Sequence, residues 1–408
     1  MSIRILDAAQ FADLTARVSS GSYSQSEQMV SLLLSRGYTV YRAGYEADGA
    51  VQVGAVVYTL PMFGGERWEV HTGPLYTDER YLDGFYRALA AFATSKGALE
   101  LVVRPNTSYR LYDSNGEPTS EPRQDIIDRL VAAGYVHGGL STGYTNGYGD
   151  WRYVKDLSGI ETRAQLLKSF SKRGKPLVKK ANTFGIKLRA LGRDELHIFK
   201  QITEATSDRR EYEDKTLEYY QKFYDAFGEA AEFMVTSLNF HEYAQNLKES
   251  QAKLAEKIAK LEERAAKGKK SGELNELRDQ YKTFDVRLEE AQEFISRYGD
   301  QDVILSGSLF VYAPHETVYL FSGSYPEFNR FYAPALLQEH VMMKSIERGV
   351  PFYNFLGITG QFDGSDGVLR FKQNFDGYVI QLPGAFTYYP SPLKYRVISL
   401  VKKVLGRS

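Results

Sequence analysis

Residues 303–355 read VILSGSLFVYAPHETVYLFSGSYPEFNRFYAPALLQEHVMMKSIERGVPFYNF, and the order of elements in this stretch decides the fold. Residues 303–312 and 317–321 are rich in β-branched and aromatic side chains, which predicts two strands, the second ending at Ser322-Gly323. Residues 333–347 read as a helix stopped by Gly349, and residues 352–355 as a further strand. Upstream, a helix carrying Tyr219, Tyr220, Phe223, Tyr224 and Phe227 leads into a strand at 232–238.

The first half of the chain repeats this order. A helix at 26–34 leads to a strand at 39–44, an Asp48-Gly49 hairpin turn and a second strand at 51–60. A third strand near 67–72 ends at Gly73-Pro74. A helix at 81–94 then stops at Gly97, and a buried strand follows at 99–103. Gly73 to Gly97 spans 24 residues and Gly323 to Gly349 spans 26. Matching order and spacing predict two tandem copies of one mixed α/β (α+β) unit.

The copies differ where the first has its Asp48-Gly49 turn, because the second carries about sixty extra residues there. In that insert Leu274, Leu277, Tyr281, Phe284, Leu288, Ala291 and Ile295 recur at alternating steps of three and four. Leu247, Leu254, Ile258, Leu261 and Ala265 do so less strictly, and Gly268-Lys269-Lys270-Ser271-Gly272 between the runs permits a reversal. An antiparallel coiled-coil hairpin is expected at 241–298. The first unit then covers 1–155, the second 156–240 with 299–392, and a basic tail 393–408.

With 408 residues, 43% apolar and 25% charged, the chain has material for more than one packed core. It has no cysteine, which removes disulfides, thiolate nucleophiles and cysteine-ligated zinc. Its six histidines, His71, His137, His197, His241, His315 and His340, never fall at i, i+4 or in an HExxH pattern, so no metal is expected. No secretory leader and no membrane-length apolar run is present, which suits a cytoplasmic protein.

Net charge is zero, yet basic residues cluster. Between Glu161 and Arg193 ten Lys or Arg face one acid, and the last nineteen residues hold Lys394, Arg396, Lys402, Lys403 and Arg407 without an acid. Such patches on a neutral chain point to phosphate-bearing partners. The tail mixes its charges with Val397, Leu400, Val401, Val404 and Leu405, a composition suited to peripheral contact with an anionic membrane.

The element order of each unit is that of GNAT acyltransferases. No Arg/Gln-x-x-Gly-x-Gly/Ala pyrophosphate loop follows any strand, which disfavours acyl-CoA as donor. A duplicated GNAT-like unit with a helical insert in its second copy resembles the FemABX family of peptidoglycan aminoacyltransferases, in its MurM-like and FemA-like branch. The resemblance is carried by Tyr23-Ser24-Gln25-Ser26, by Gly73-Pro74, by Lys172-Arg173 through Lys180-Ala181 with Gly185, and by Thr206-Ser207-Asp208-Arg209. Its strongest segment is Tyr353-Asn354-Phe355-Leu356-Gly357-Ile358-Thr359-Gly360, followed by Gly367 and Arg370-Phe371-Lys372-Gln373-Asn374-Phe375. Two departures stand out. Met29 and Leu33 occupy places where members often carry Trp and Lys, and Arg104-Pro105-Asn106 replaces an acid-Pro pair, leaving the general-base role unassigned.

The resemblance implies transfer of an amino acid (alanine, serine or glycine) from aminoacyl-tRNA to the stem-peptide amine of lipid II or UDP-MurNAc-pentapeptide, without a further cofactor. It implies Lys372 and Phe371 as catalytic residues and Arg209 as a phosphate ligand. Tyr319, Phe321, Tyr353, Gly357 and Gly360 would bind substrate, and Arg173, Lys175, Lys179 and Lys180 would meet tRNA. Three rival expectations share the fold: a tRNA-dependent transferase acting on protein N-termini, a CoA-dependent N-acyltransferase and a non-catalytic RNA-binding scaffold.

Overall fold

The computed structural model describes residues 2–145, 148–266 and 273–404. The reversal expected at 268–272 lies outside them, as does Arg407.

The duplication is visible element by element. In the first half, helix Glu27–Ser35 starts at Ser26, whose Oγ accepts a hydrogen bond from the Met29 N–H at 3.2 Å. Strands Val40–Ala47 and Ala50–Met62 form an antiparallel hairpin whose turn residues, Asp48 (φ 52°) and Gly49 (φ 79°), are both left-handed, as a type I′ turn requires. Strand Gly65–His71, helix Leu82–Ser95 and strand Glu100–Arg104 complete the unit, the two strands pairing in parallel. In the second half, strands Ala231–Asn239, Asp302–Tyr312 and Thr317–Ser324 run antiparallel in turn. Helix Ala333–Glu347 then leads to strand Phe352–Ile358, which pairs in parallel with Thr317–Ser324.

Between Ala231–Asn239 and Asp302–Tyr312 the insert forms two long helices, Phe240–Ala266 and Glu273–Tyr298. Phe240 stacks on Phe294 at 4.4 Å at their base, and Gln251 donates to Asp285 at 2.5 Å further out, so the helices run antiparallel. Leu247, Leu254, Leu277, Ala291 and Phe294 are buried. The inward face is therefore the one marked by the heptad spacing.

Each half builds one eight-stranded sheet, but the sheets do not follow the partition at residue 155. Strand Trp151–Asp156 lies in the second sheet, between Phe352–Ile358 and Tyr378–Gln381, and Arg110–Tyr112 forms that sheet's edge. In return, Phe386–Tyr388 enters the first sheet between Glu100–Arg104 and Val136–His137. This exchange ties the two units together through backbone hydrogen bonds.

One difference between the copies positions the site. In the first unit the parallel pair stays closed over five residues, from Arg67 opposite Glu100 to His71 opposite Arg104. In the second, pairing covers only Thr317 with Tyr353 and Val318 with Asn354, although the strands continue to Ser324 and Ile358. Each strand is held elsewhere. Gly323 lies so close to helix Leu196–Arg210 that a Cβ there would sit 2.4 Å from the Ile202 carbonyl oxygen, and Thr206 Oγ1 accepts from the Ser324 N–H at 3.2 Å. Phe352–Ile358 is paired instead with Trp151–Asp156. A gap therefore opens between them.

Candidate active site

A cavity of about 750 Å³ occupies this gap, lined on one side by Tyr319 through Ser324 and on the other by Phe355, Leu356 and Gly357. Its wall is completed by Lys372 and Phe371, by Arg209 and Arg210, and by Tyr23, His71 and Thr72 from the first unit.

Lys372 is 3% exposed, and its ammonium donates to the carbonyl oxygens of Leu356 (3.1 Å) and Gly357 (2.6 Å). The local backbone explains why two carbonyls converge there. Leu356 is left-handed (φ 59°), its N–H donates to Asn354 Oδ1 at 2.8 Å, and Asn354 Nδ2 donates to Glu316 Oε2 at 2.7 Å. A non-glycine residue in this region is held by its surroundings and marks a site where geometry matters. Helix Gly367–Lys372, which carries the lysine, is capped by Asp366, whose carboxylate accepts from the N–H groups of Val368 and Leu369 and from Thr359. Burial pushes the Lys372 ammonium down to about 7, against the upward pull of Asp366.

The other wall is cationic and aromatic. Arg209 and Arg210 are exposed in the last turn of helix Leu196–Arg210, where positive charge suits the helix dipole. Tyr319 stacks on Phe310 at 5.6 Å; burial raises its hydroxyl pKa, opposed by hydrogen bonds with Ser322 and Ser308. Phe321 meets Tyr220 edge-on at 5.9 Å, and Phe371 meets Phe375 edge-on at 5.4 Å. A Cβ on Gly357 would lie 2.9 Å from the ring of Tyr144, which folds over this strand.

Three comparisons bear on this geometry. The FemAB family model matches residues 6–403. The chain belongs to the FemAB family. The aminoacyltransferase FemB of Staphylococcus epidermidis is 26% identical over 393 residues, 94% of each chain. The aminoacyltransferase FemA of the same species is 26% identical over 412 residues, 98% of each. Among solved structures, FemX superposes with a TM-score of 0.75 at 19% identity, covering 98% of this chain and 100% of that one. A tandem GNAT protein from clavulanic acid biosynthesis reaches 0.50 at 11% identity, over 96% and 99%. This FemAB-family chain is an aminoacyltransferase on a tandem GNAT-like fold.

Of the residues singled out in the sequence, the fold gathers Lys372, Phe371, Arg209, Tyr319, Phe321 and Gly357 around one cavity. Tyr353 and Gly360 are placed elsewhere. Tyr353 sits where the parallel strands are still paired, fully buried, its hydroxyl donating to Gln338 Oε1 at 2.6 Å. Gly360 follows the end of the strand, left-handed (φ 72°), and a Cβ there would lie 2.5 Å from the Trp151 ring. Both shape the scaffold.

None of the four basic residues lines the cavity; they lie on the helix that reaches it through Leu177. Arg173, Lys179 and Lys180 are exposed and Lys175 half-buried on or beside helix Gly174–Ala181, whose Leu177 lines the cavity. Lys180 Nζ lies 5.6 Å from the centre of the Tyr332 ring, another lining residue. The helix is pressed onto the Lys372 segment: a Cβ on Gly174 would come within 1.8 Å of the Asn374 carbonyl oxygen.

Sequence reasoning missed His71, Tyr144 and Arg152. Burial, with Arg152 and Arg104 nearby, holds His71 down to about 3, so it is neutral at physiological pH. Arg152, opposite Gly357 in the sheet, donates to Asn106 Oδ1 at 2.6 Å and lines both this cavity and a second of about 470 Å³. The signal for the first-unit contribution was present in Gln25 and Gly73. Gln25 Nε2 donates to the His71 carbonyl at 2.7 Å, and a Cβ on Gly73 would lie 2.7 Å from the Gln25 amide carbon.

Proposed function

We propose that this aminoacyltransferase takes alanine, serine or glycine from an aminoacyl-tRNA and joins it to a stem-peptide amine of a peptidoglycan precursor, lipid II or UDP-MurNAc-pentapeptide. The observation that carries this reading is the buried Lys372 ammonium at a cleft opened between two parallel strands, with Arg209 and Arg210 also lining it and a basic helix that reaches it through Leu177. In the reaction the neutral amine attacks the ester carbonyl and a C–N bond forms. The resulting oxyanion lies against Lys372, a contribution of about 3–4 kcal/mol to the barrier by analogy with other oxyanion donors. The C–O bond to the tRNA 3′-oxygen then breaks, and that oxygen takes up the proton lost by the amine.

Arg209 and Arg210 suit the precursor's pyrophosphate, because the guanidinium fork matches phosphate oxygens. Arg173, Lys179 and Lys180 suit tRNA phosphates, contacts that supply affinity without sequence readout. The acceptor favoured is the lipid-linked one, met at the inner face of the membrane. The test is a donor panel: labelled alanyl-, seryl- and glycyl-tRNA and acetyl-CoA, each with lipid II and with UDP-MurNAc-pentapeptide. Label on a precursor from one of the tRNAs, and none from acetyl-CoA, is expected. Turnover of acetyl-CoA alone, or no transfer from any donor, overturns the reading.

A further inference from the structure

Helix Pro392–Val404 has two unlike faces. Tyr395, Ile398 and Lys402, spaced three and four apart, are half-buried against the body of the protein. Tyr395 packs on Tyr389 at 4.2 Å, and a Cβ on Gly64 would lie 2.6 Å from Ile398, so this face is docked. The opposite face is apolar and uncovered. Leu393 is 76% exposed, Val397 60%, Leu400 64% and Val401 42%. Four of the fourteen large apolar side chains exposed among the described residues thus fall on this one helix, at a spacing of four, three and one that forms a single stripe.

Scattered exposed apolar residues need no explanation, but a continuous stripe does. Its flanks indicate what covers it. At about 100° per residue, Lys394 and Arg396 fall on either side of the stripe, both exposed, and residues 390–408 contain five basic residues and no acid. Apposing a second copy through this helix would bring like charges together. An anionic surface with an apolar interior satisfies both halves of the pattern. A thirteen-residue helix is about 20 Å long, too short to cross a bilayer, and among the described residues no helix is long and apolar enough to do so.

We infer that helix Pro392–Val404 docks the protein on an anionic lipid bilayer, lying in the plane of the headgroups with Leu393, Val397, Leu400 and Val401 inserted and Lys394 and Arg396 at phosphate level. The inference deepens the lipid II reading by naming the element that brings the enzyme to a lipid-linked acceptor. It is tested without substrate, so the two stand or fall separately.

The full chain is co-sedimented with vesicles of phosphatidylcholine alone and of phosphatidylcholine mixed equally with phosphatidylglycerol. The wild type is expected to bind the anionic vesicles at least about tenfold more tightly. Val397→Glu combined with Leu400→Glu removes that binding, and Lys394→Ala with Arg396→Ala weakens it by roughly 25-fold, about fivefold per charge. Val286→Glu, a change at an exposed apolar residue on the helical hairpin, leaves it unchanged. Circular dichroism melts confirm that each variant is folded. Equal or absent binding of the wild type to the two vesicle types overturns the inference. So does a dimer in sedimentation equilibrium that the Val397→Glu, Leu400→Glu pair dissociates while vesicle binding persists.

Discussion

Replacing Lys372 by arginine separates charge from geometry at the reactive end of the cleft. In the wild type, burial lowers the ammonium pKa from 10.5 to about 7, so the cation is present below that value and lost above it. The acceptor amine behaves oppositely, becoming nucleophilic as pH rises. The rate of the chemical step is therefore expected to rise with pH up to about 7 and level off above it, where loss of the Lys372 proton offsets the further gain in free amine. Arginine stays charged throughout, so in Lys372→Arg the rate keeps rising with acceptor deprotonation instead of levelling off, from a lower starting rate because the guanidinium cannot reproduce both carbonyl contacts. Lys372→Met removes the cation altogether and is expected to cost on the order of 10²–10³ in rate. Stability moves the other way with pH. Between about 7 and 10.5 the unfolded chain holds a proton at this position that the folded chain has released, so the wild type gains stability as pH rises through that window and Lys372→Met does not. The assay is single-turnover transfer across roughly pH 5.5–8.5, about ±1.5 units around the expected midpoint, with melting curves recorded in parallel. A levelling-off that survives in Lys372→Arg, or a rate in Lys372→Met within a few-fold of the wild type, refutes the reasoning.

Further outcomes follow from the same geometry. Gly174→Ala places a Cβ 1.8 Å from a backbone oxygen that cannot rotate away, so it is expected to destabilise by about 3 kcal/mol or more, read as a lowered melting temperature. Gly357→Ala meets only the exposed ring of Tyr144, which can swing aside; the melting temperature is expected to hold while KM rises. Arg209→Ala and Arg210→Ala each remove a charge-assisted contact to phosphate, raising KM for the precursor by about tenfold or more with folding intact. Lys179→Ala with Lys180→Ala weakens tRNA binding and reduces the slope of log affinity against log salt by about two, in filter binding at several salt concentrations.

Much of this architecture is legible in the chain because its elements are locally specified. The β-branched and aromatic residues of 303–312, the helix ending before Gly349 and the Asp48-Gly49 turn each carry their own signal, and all agree with the structure. The exchanged strands carry none. Arg110–Tyr112 and Phe386–Tyr388 are three residues long and join their sheets by pairing with strands far away in sequence. The part of the candidate cavity legible in the sequence is the part a motif marks, as at Phe371-Lys372, but the same motifs also mark Tyr353, which does not line it. Tyr353, Phe355 and Gly357 alternate along one strand, yet only the last two lie beyond the point where the parallel pair opens. That point depends on Gly323 and Thr206 holding the neighbouring strand, which no reading of the 353–360 segment alone reveals. Arg152 and Tyr144 enter through tertiary placement, outside any recognisable pattern.

The central claim is that the ester is attacked in the gap between Thr317–Ser324 and Phe352–Ile358, against Lys372. A crystal structure with a stable conjugate, in which an RNA acceptor end is joined to the stem peptide through a group mimicking the tetrahedral centre, tests it most directly. The account predicts the oxygen of that centre within hydrogen-bond distance of Lys372 Nζ, RNA phosphates along helix Gly174–Ala181 and the precursor's phosphates at Arg209 and Arg210. A conjugate bound with its centre elsewhere, or with Lys372 still turned only to the Leu356 and Gly357 carbonyls, would contradict it.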